Sequence, residues 1–175
     1  MQSVRWPTRW KIAELKSGIT SQTKFSNRVD LDPKYQIDTG ELLYSWSGSP
    51  DTSLDTFLWT KGKGFLNQHI FRVVTRNAAH KHFVYYLLKH LRQPLIEIAR
   101  DKQTTGLGHV TVADMRRLKM CWPALKIFEG FAQRVSPIFE SNFNLMMESE
   151  RLAEMRDYLL PRLLNGKVRV ENSND

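Results

Sequence analysis

Apolar positions between residues 40 and 74 come in short runs separated by turn residues. Leu42, Leu43, Tyr44 and Trp46 form one run and residues 65–74 another, so both are predicted to be strands. Gly48, Pro50 and Asp51 break the first run, and Lys61-Gly62-Lys63-Gly64 makes a flexible basic connection into the second. Residues 79–99 then change to helical spacing through Phe83, Tyr86, Leu87 and Leu91, with Pro94 placed to break or kink the helix. A loop, Thr104-Thr105-Gly106-Leu107-Gly108, follows. Thr111 is predicted to cap a short helix over 112–117, and 118–122 to form a last strand before Pro123.

Beyond Pro123 the pattern is helical, with no glycine between Phe131 and Asn165. Pro137 suits the first turn of a new helix. From there Ile138, Leu145, Leu152 and Leu159 recur at seven-residue spacing, with Met155 adding a second seam position among charged neighbours. Such a stripe predicts a helix that packs on another helix. Ser141 and Glu148 occupy positions where apolar partners of Met155 would fall, which disfavours a parallel zipper. Pro161 is predicted to interrupt the helix and Gly166 to provide a left-handed stop. The resulting division is a mixed α+β domain over 1–123, a helical spacer over 124–170 and a tail over 171–175.

Charge changes this picture by its placement. The 175 residues carry a net +8, but residues 1–119 hold 19 Lys and Arg against 10 Asp and Glu, whereas 120–175 hold 7 against 8. The β-containing part is therefore the candidate polyanion-binding surface, with nucleic acid the polyanion it suits. No basic amphipathic helix with an aromatic face favours a membrane surface, and no apolar stretch approaches the roughly 20 residues needed to cross a bilayer. The polar, basic N-terminus is unlike a signal peptide, and the lone Cys121 cannot form an internal disulfide; both fit a cytoplasmic setting.

Catalytic signatures are missing from the sequence. It has no phosphate-binding loop ending in Gly-Lys-Ser/Thr, no glycine-rich cofactor fingerprint and no Asn/Asp-Pro-Pro-aromatic methyltransferase motif. Asp32-Pro33-Lys34 imitates the Asp-x-Lys of metal-dependent nucleases but no suitably spaced acid precedes it. His80, His82 and His90 lack a convincing fourth ligand for zinc. The expectation is a non-catalytic chain with neither cofactor nor metal. A helical adaptor, or a non-specific nucleic-acid-binding module, is the alternative to a sequence-reading domain.

Two stretches carry a family resemblance. The sequence from Gly40-Glu41-Leu42-Leu43-Tyr44-Ser45-Trp46 to Ser49, followed from Gly64 by Phe-Leu-Asn-Gln-His-Ile-Phe-Arg-Val, is similar to the central strands of target-recognition domains in type I restriction-modification specificity subunits. The second, Glu150-Arg151-Leu152 through Leu159-Leu160-Pro161-Arg162-Leu163-Leu164-Asn165-Gly166-Lys167-Val168, resembles the end of that family's conserved helical region. Between them, residues 106–111 match the loop before the family's last strand. Residues before Asp38 match weakly. The resemblance implies a subunit that reads duplex DNA, holds adenine methyltransferase subunits and, in the full complex, joins motor-nuclease subunits. A whole family member has two recognition domains and two helical regions; one of each here implies a half-subunit or fragment. The implied behaviour is a homodimer, its C-terminal helices paired as an antiparallel coiled coil and its two half-sites set apart by a helix of roughly 35 Å.

Lys24, Arg28, Lys61, Lys63, Arg100 and Lys102 are the candidate phosphate contacts, because predicted loops let long side chains reach out; an ordinary solvated surface is the alternative. Ser47, Ser49, Thr104, Thr105 and His109 are candidate base readers, with turn or cap roles as the alternative. Asn67, Gln68 and His69, polar within an apolar strand, are predicted to be buried and hydrogen-bonded. Trp46, Trp59 and Trp122 are predicted core residues, with stacking on unpaired bases as the alternative. Ile138, Leu145, Leu152, Met155 and Leu159 are the candidate helix-pairing residues.

Overall fold

The structure, a computed structural model, describes residues 6–9, 24–26, 32–103 and 106–168, the first two stretches as backbone only. The architecture is mixed α+β, with small antiparallel sheets followed by helices. Strands β1 (Trp6–Arg9) and β2 (Lys24–Ser26) pair with each other, and β3 (Gln36–Ile37) pairs with β7 (Gly64–Phe65). Strand β4 (Leu42–Ser45) lies between β6 (Asp55–Leu58) and β8 (Ile70–Val73), and β5 (Ser47–Gly48) pairs with β9 (Gly108–His109). The helices are α1 (Pro50–Ser53), α2 (Ala78–His90), α3 (Arg92–Asp101), α4 (Val112–Arg117) and α5 (Leu125–Leu164). The chain divides into two compact units, residues 1–139 and 140–175.

All four residues of β4 are buried, because both faces of this central strand are covered. Successive side chains point to opposite faces, so Leu43 packs with Ile37, Trp59 and Ile70 while Tyr44 packs with Leu54, Leu95, Ile96, Ala99 and Val110. Leu95, Ile96 and Ala99 form the buried stripe of α3, an apolar face at helical spacing. Asp55 ties the sheet to the helices through Lys89 at 2.8 Å and Arg92 at 3.6 Å. Burial pushes the Tyr44 hydroxyl's pKa well up, with the Asp55 charge adding to the shift.

Several predicted elements change. The run over 65–74 splits into β7 and β8, because Asn67 turns the chain: its Oδ1 accepts the His69 N–H at 3.0 Å and its carbonyl accepts the Ile70 N–H at 3.1 Å. Asn67 and His69 are half-buried, but Gln68 is exposed, contrary to the expectation for it. The helix over 79–99 breaks at Leu91, ahead of Pro94, which sits in the first turn of α3 where its missing N–H has no intrahelical partner to lose. No strand forms at 118–122. The ladder position beside β5 is taken by β9, and the following Val110 N–H donates to Trp46 O at 2.8 Å. Trp59 is core at 2% exposure and Trp46 is half-buried against Phe71, whereas Trp122, also predicted core, is 56% exposed.

Pro137 does not begin a helix and Pro161 does not end one; α5 runs through both. In the first unit its Phe128 and Phe131 meet Phe83 at 5.7 and 5.4 Å, while Phe139 stacks on His82 at 4.0 Å and meets Tyr85 edge-on at 5.3 Å. This packing on α2 offsets the one ladder bond that Pro137 deletes. Gly166, with φ of 66°, stops the helix as predicted: the Lys167 N–H donates to Arg162 O at 2.9 Å and the Gly166 N–H to Leu163 O at 3.1 Å, a Schellman closure. In the second unit Arg162 stacks 3.4 Å over the Tyr158 ring.

Candidate functional site

Strand β5 continues the chain from the Ser45 end of β4, and its short ladder with β9 sets Ser47 directly opposite His109 and Gly48 opposite Gly108. Directly opposed side chains share one face of a ladder, so a hydroxyl and an imidazole, both half-buried, stand side by side. The ladder depends on close backbone approach. A Cβ at Gly108 would lie 2.3 Å from Ala99 O and 2.9 Å from Pro50 Cγ, so only glycine lets β9 pass this close to α3 and α1.

Ser49 occupies the N-cap position of α1 without a capping side-chain bond, and Pro50 fills the first helical position. Arg100 reaches from α3 to the Asp51 carboxylate, and Arg92 donates to Asp51 O at 2.6 Å. Arg100 is thereby held beside α1, yet its side chain remains 47% exposed. Lys102 pairs with Asp114, a carboxylate 5% exposed. That carboxylate also closes the predicted cap of α4: it accepts the Thr111 N–H at 2.8 Å and the Thr111 hydroxyl at 2.6 Å, while the Asp114 N–H donates back to Thr111 Oγ1 at 3.2 Å. The Lys102 ammonium and the two Thr111 donors hold the Asp114 carboxyl well below the usual carboxylate range. Lys102 thus has a structural task that its sequence position gave no sign of.

Ser47, Ser49, Arg100 and His109 are therefore brought together around β5, β9, α1 and α3. Lys61 and Lys63 are not among them. The loop they occupy follows Trp59 at the Leu42 end of β4, opposite to the end from which β5 leaves. There the Trp59 indole N–H donates to Gly62 O, the Gly62 N–H donates to Thr39 Oγ1 at 3.0 Å, and Gly62 takes a φ of 73°. Lys63 lines a cavity with Gln36, Ile37, Asp38 and Glu41, so its surroundings are acidic. Burial raises the Glu41 carboxyl pKa, against the opposing Arg72 guanidinium at 3.5 Å. Arg28, Thr104 and Thr105 lie outside the described residues, and of Lys24 only the backbone, in β2, is described.

The side chains of four further exposed cations, Arg76, Arg116, Arg117 and Lys119, make no hydrogen bond or ion pair with another described residue. For Arg116 and Arg117 the signal lay in their neighbours: Met115 and Leu118 pack on the core, which turns the two intervening arginines outward. The five seam residues of α5 are exposed, Ile138 at 56%, Leu145 at 57%, Leu152 at 58%, Met155 at 57% and Leu159 at 37%. Among the described residues no cluster of His, Cys, Asp and Glu could hold a metal ion, and no helix is long and apolar enough to cross a membrane. His82 instead bonds Ser136 Oγ at 2.9 Å, His80 stacks on Trp122, and Asp32 caps a 3-10 turn and pairs with Lys34 at 2.9 Å.

No protein-family model matches the chain. It is 30% identical over 105 residues to the type I restriction enzyme HindI specificity subunit of Haemophilus influenzae, a match covering 58% of this chain and 22% of that protein. It is 33% identical over 90 residues to the type I restriction enzyme MjaIX specificity subunit of Methanocaldococcus jannaschii, covering 51% and 20%. The chain thus spans about a fifth of the length of the curated relatives it matches. Over these stretches its sequence is similar to part of two type I restriction enzyme specificity subunits.

Proposed function

We propose that the chain is a non-catalytic DNA-recognition component of a type I restriction-modification system. Residues 1–123 read one half-site, 124–170 form a helical spacer and dimerisation region, and the chain docks the adenine methyltransferase subunit and joins the motor-nuclease subunit in the full complex. The observation that carries this reading is the similarity to two specificity subunits, from a bacterium and an archaeon, over more than half of the chain. The β5–β9 ladder supports it, because Ser47 and His109 offer hydrogen-bond donors and acceptors of the kind that distinguish base edges. Arg100, braced by Asp51 and still partly exposed, suits a phosphate or a guanine edge beside them.

The seam of α5 supports homodimerisation. Four of its five residues are more than half exposed, and an apolar stripe along a helix is stabilised by burial against another helix. A two-fold dimer would read a symmetric, interrupted site. Duplex binding followed against salt tests the recognition function. A DNA-reading chain loses affinity steeply as salt rises and keeps a preference for one interrupted sequence, whereas a purely helical adaptor binds no duplex at any salt concentration. Light scattering on the intact chain and on a variant with Leu145, Leu152 and Leu159 changed to Glu tests the spacer. The expected result is a dimer converted to a folded monomer; a monomer in both cases would overturn self-pairing and leave the seam to a second helix of the assembly.

A further inference from the structure

The segment that leaves α4 without forming a strand sets Trp122 on an aromatic stack. Its indole lies nearly parallel to His80, with centroids 5.7 Å apart at 16°, and to Phe128, 5.8 Å apart at 28°, while Phe83 meets it edge-on at 4.9 Å. These neighbours fix the ring, yet more than half of its surface faces solvent. Beside it opens a cleft of about 460 Å³ lined by Val74, Thr75, Arg76, His80, Val84 and Trp122. Arg76 differs from Arg72, Arg92 and Arg100, each of which bonds a carboxylate or carbonyl; Arg76 is exposed and bonds no other described residue.

We infer that this cleft binds a nucleobase together with its phosphate, the base against the Trp122 indole and the phosphate at the Arg76 guanidinium. A fixed aromatic plane beside an unneutralised cation is the combination that holds unpaired bases, because every base has a stacking face and every linkage a charge. The volume suits one nucleotide. The same chemistry could be presented by a free mononucleotide or by an unpaired position of a strand. Arg116, Arg117 and Lys119, exposed and without a bonded partner among the described residues, precede Trp122 by three to six positions and favour the strand. An apolar protein face suits the cleft less well, since it would bury the Arg76 charge unpaired. This site is separate from the β5–β9 ladder and does not depend on duplex reading there.

The test uses the full chain with a fluorescently labelled single-stranded oligonucleotide of mixed sequence, the matching duplex, and adenosine and thymidine monophosphates as competitors. Trp122→Ala is expected to weaken single-strand binding about tenfold while Trp122→Phe, which keeps an aromatic plane, largely restores it. Arg76→Ala is expected to weaken binding and lower the slope of log affinity against log salt by about one. Neither change is expected to alter duplex binding, which Ser47→Ala and His109→Ala probe separately. Competition by monophosphates at concentrations well below those of the oligonucleotide's nucleotides would identify a free nucleotide as the source. Single-strand affinity unchanged by both Arg76→Ala and Trp122→Ala, in proteins whose circular dichroism and melting match the parent, would overturn the inference, as would loss of association with a methyltransferase subunit in place of loss of oligonucleotide binding.

Discussion

Gly108 and Asp114 show how single residues hold the candidate site. The Cβ that alanine would add at Gly108 collides with backbone atoms of Ala99, which cannot swing aside as a side-chain end could. Gly108→Ala is therefore expected to destabilise the first unit by about 1–3 kcal/mol or more, because α3 and β9 must move apart. Urea unfolding of the two proteins measures this directly. At Asp114 the expected effect depends on pH. Its folded-state pKa is depressed, so the stability it contributes is fully present above the ordinary carboxylate value of 3.8 and is lost as pH falls toward the folded-state value. Asp114→Asn should therefore lower stability at neutral pH and flatten the loss of stability below about pH 4, as followed by thermal melts across pH. An equally steep acid limb in both proteins would exclude Asp114 as its source. The sequence revealed the Thr111 cap through spacing alone, but Lys102 as its third member is separated by twelve residues and became visible only in the fold.

Helix α5 shows where an element departs from its local propensities. Its prolines at 137 and 161 predict boundaries, yet the helix spans Leu125–Leu164 and stops only at Gly166. Proline in a helix interior costs about 3 kcal/mol through a lost bond and a clash with the preceding turn. Pro137→Ala should accordingly raise stability, by at most that amount, and increase helical circular dichroism; an unchanged melt would mean that the helix is already relaxed around the ring. The reverse failure occurs at 118–122, where an apolar run short enough for a strand pairs with no other strand, the place beside β5 being held by Gly108–His109. Strand formation requires a partner, and β9 holds that place. The residue run 65–74 likewise has strand composition throughout, but Asn67 folds back on the His69 amide and divides it.

For the molecule as a whole, uneven charge gave the first functional direction, and the described structure refines where that charge is available. Lys102 is committed to Asp114 and Arg100 is braced on Asp51, whereas Arg116, Arg117 and Lys119 are exposed on the outward side of α4 and its exit. Replacing these last three together by Ala is expected to weaken nucleic-acid binding by more than replacing Lys102 does and to reduce the salt slope by up to about three, measured by anisotropy across salt concentrations. Periodicity and turn chemistry by themselves determined the mixed α+β class, the central β4 strand, the capped α4 and the glycine stop of α5, because each depends on bonds within a few residues or on an apolar stripe readable along one element. The motifs in their order carried the resemblance to type I specificity subunits. Only the tertiary structure decided that Ser47 faces His109, that Lys61 and Lys63 lie at the other end of the sheet, and that Trp122 is left exposed on a stack of rings. Those arrangements arise from which edges and faces meet across long stretches of chain, and local pattern carries no record of that pairing.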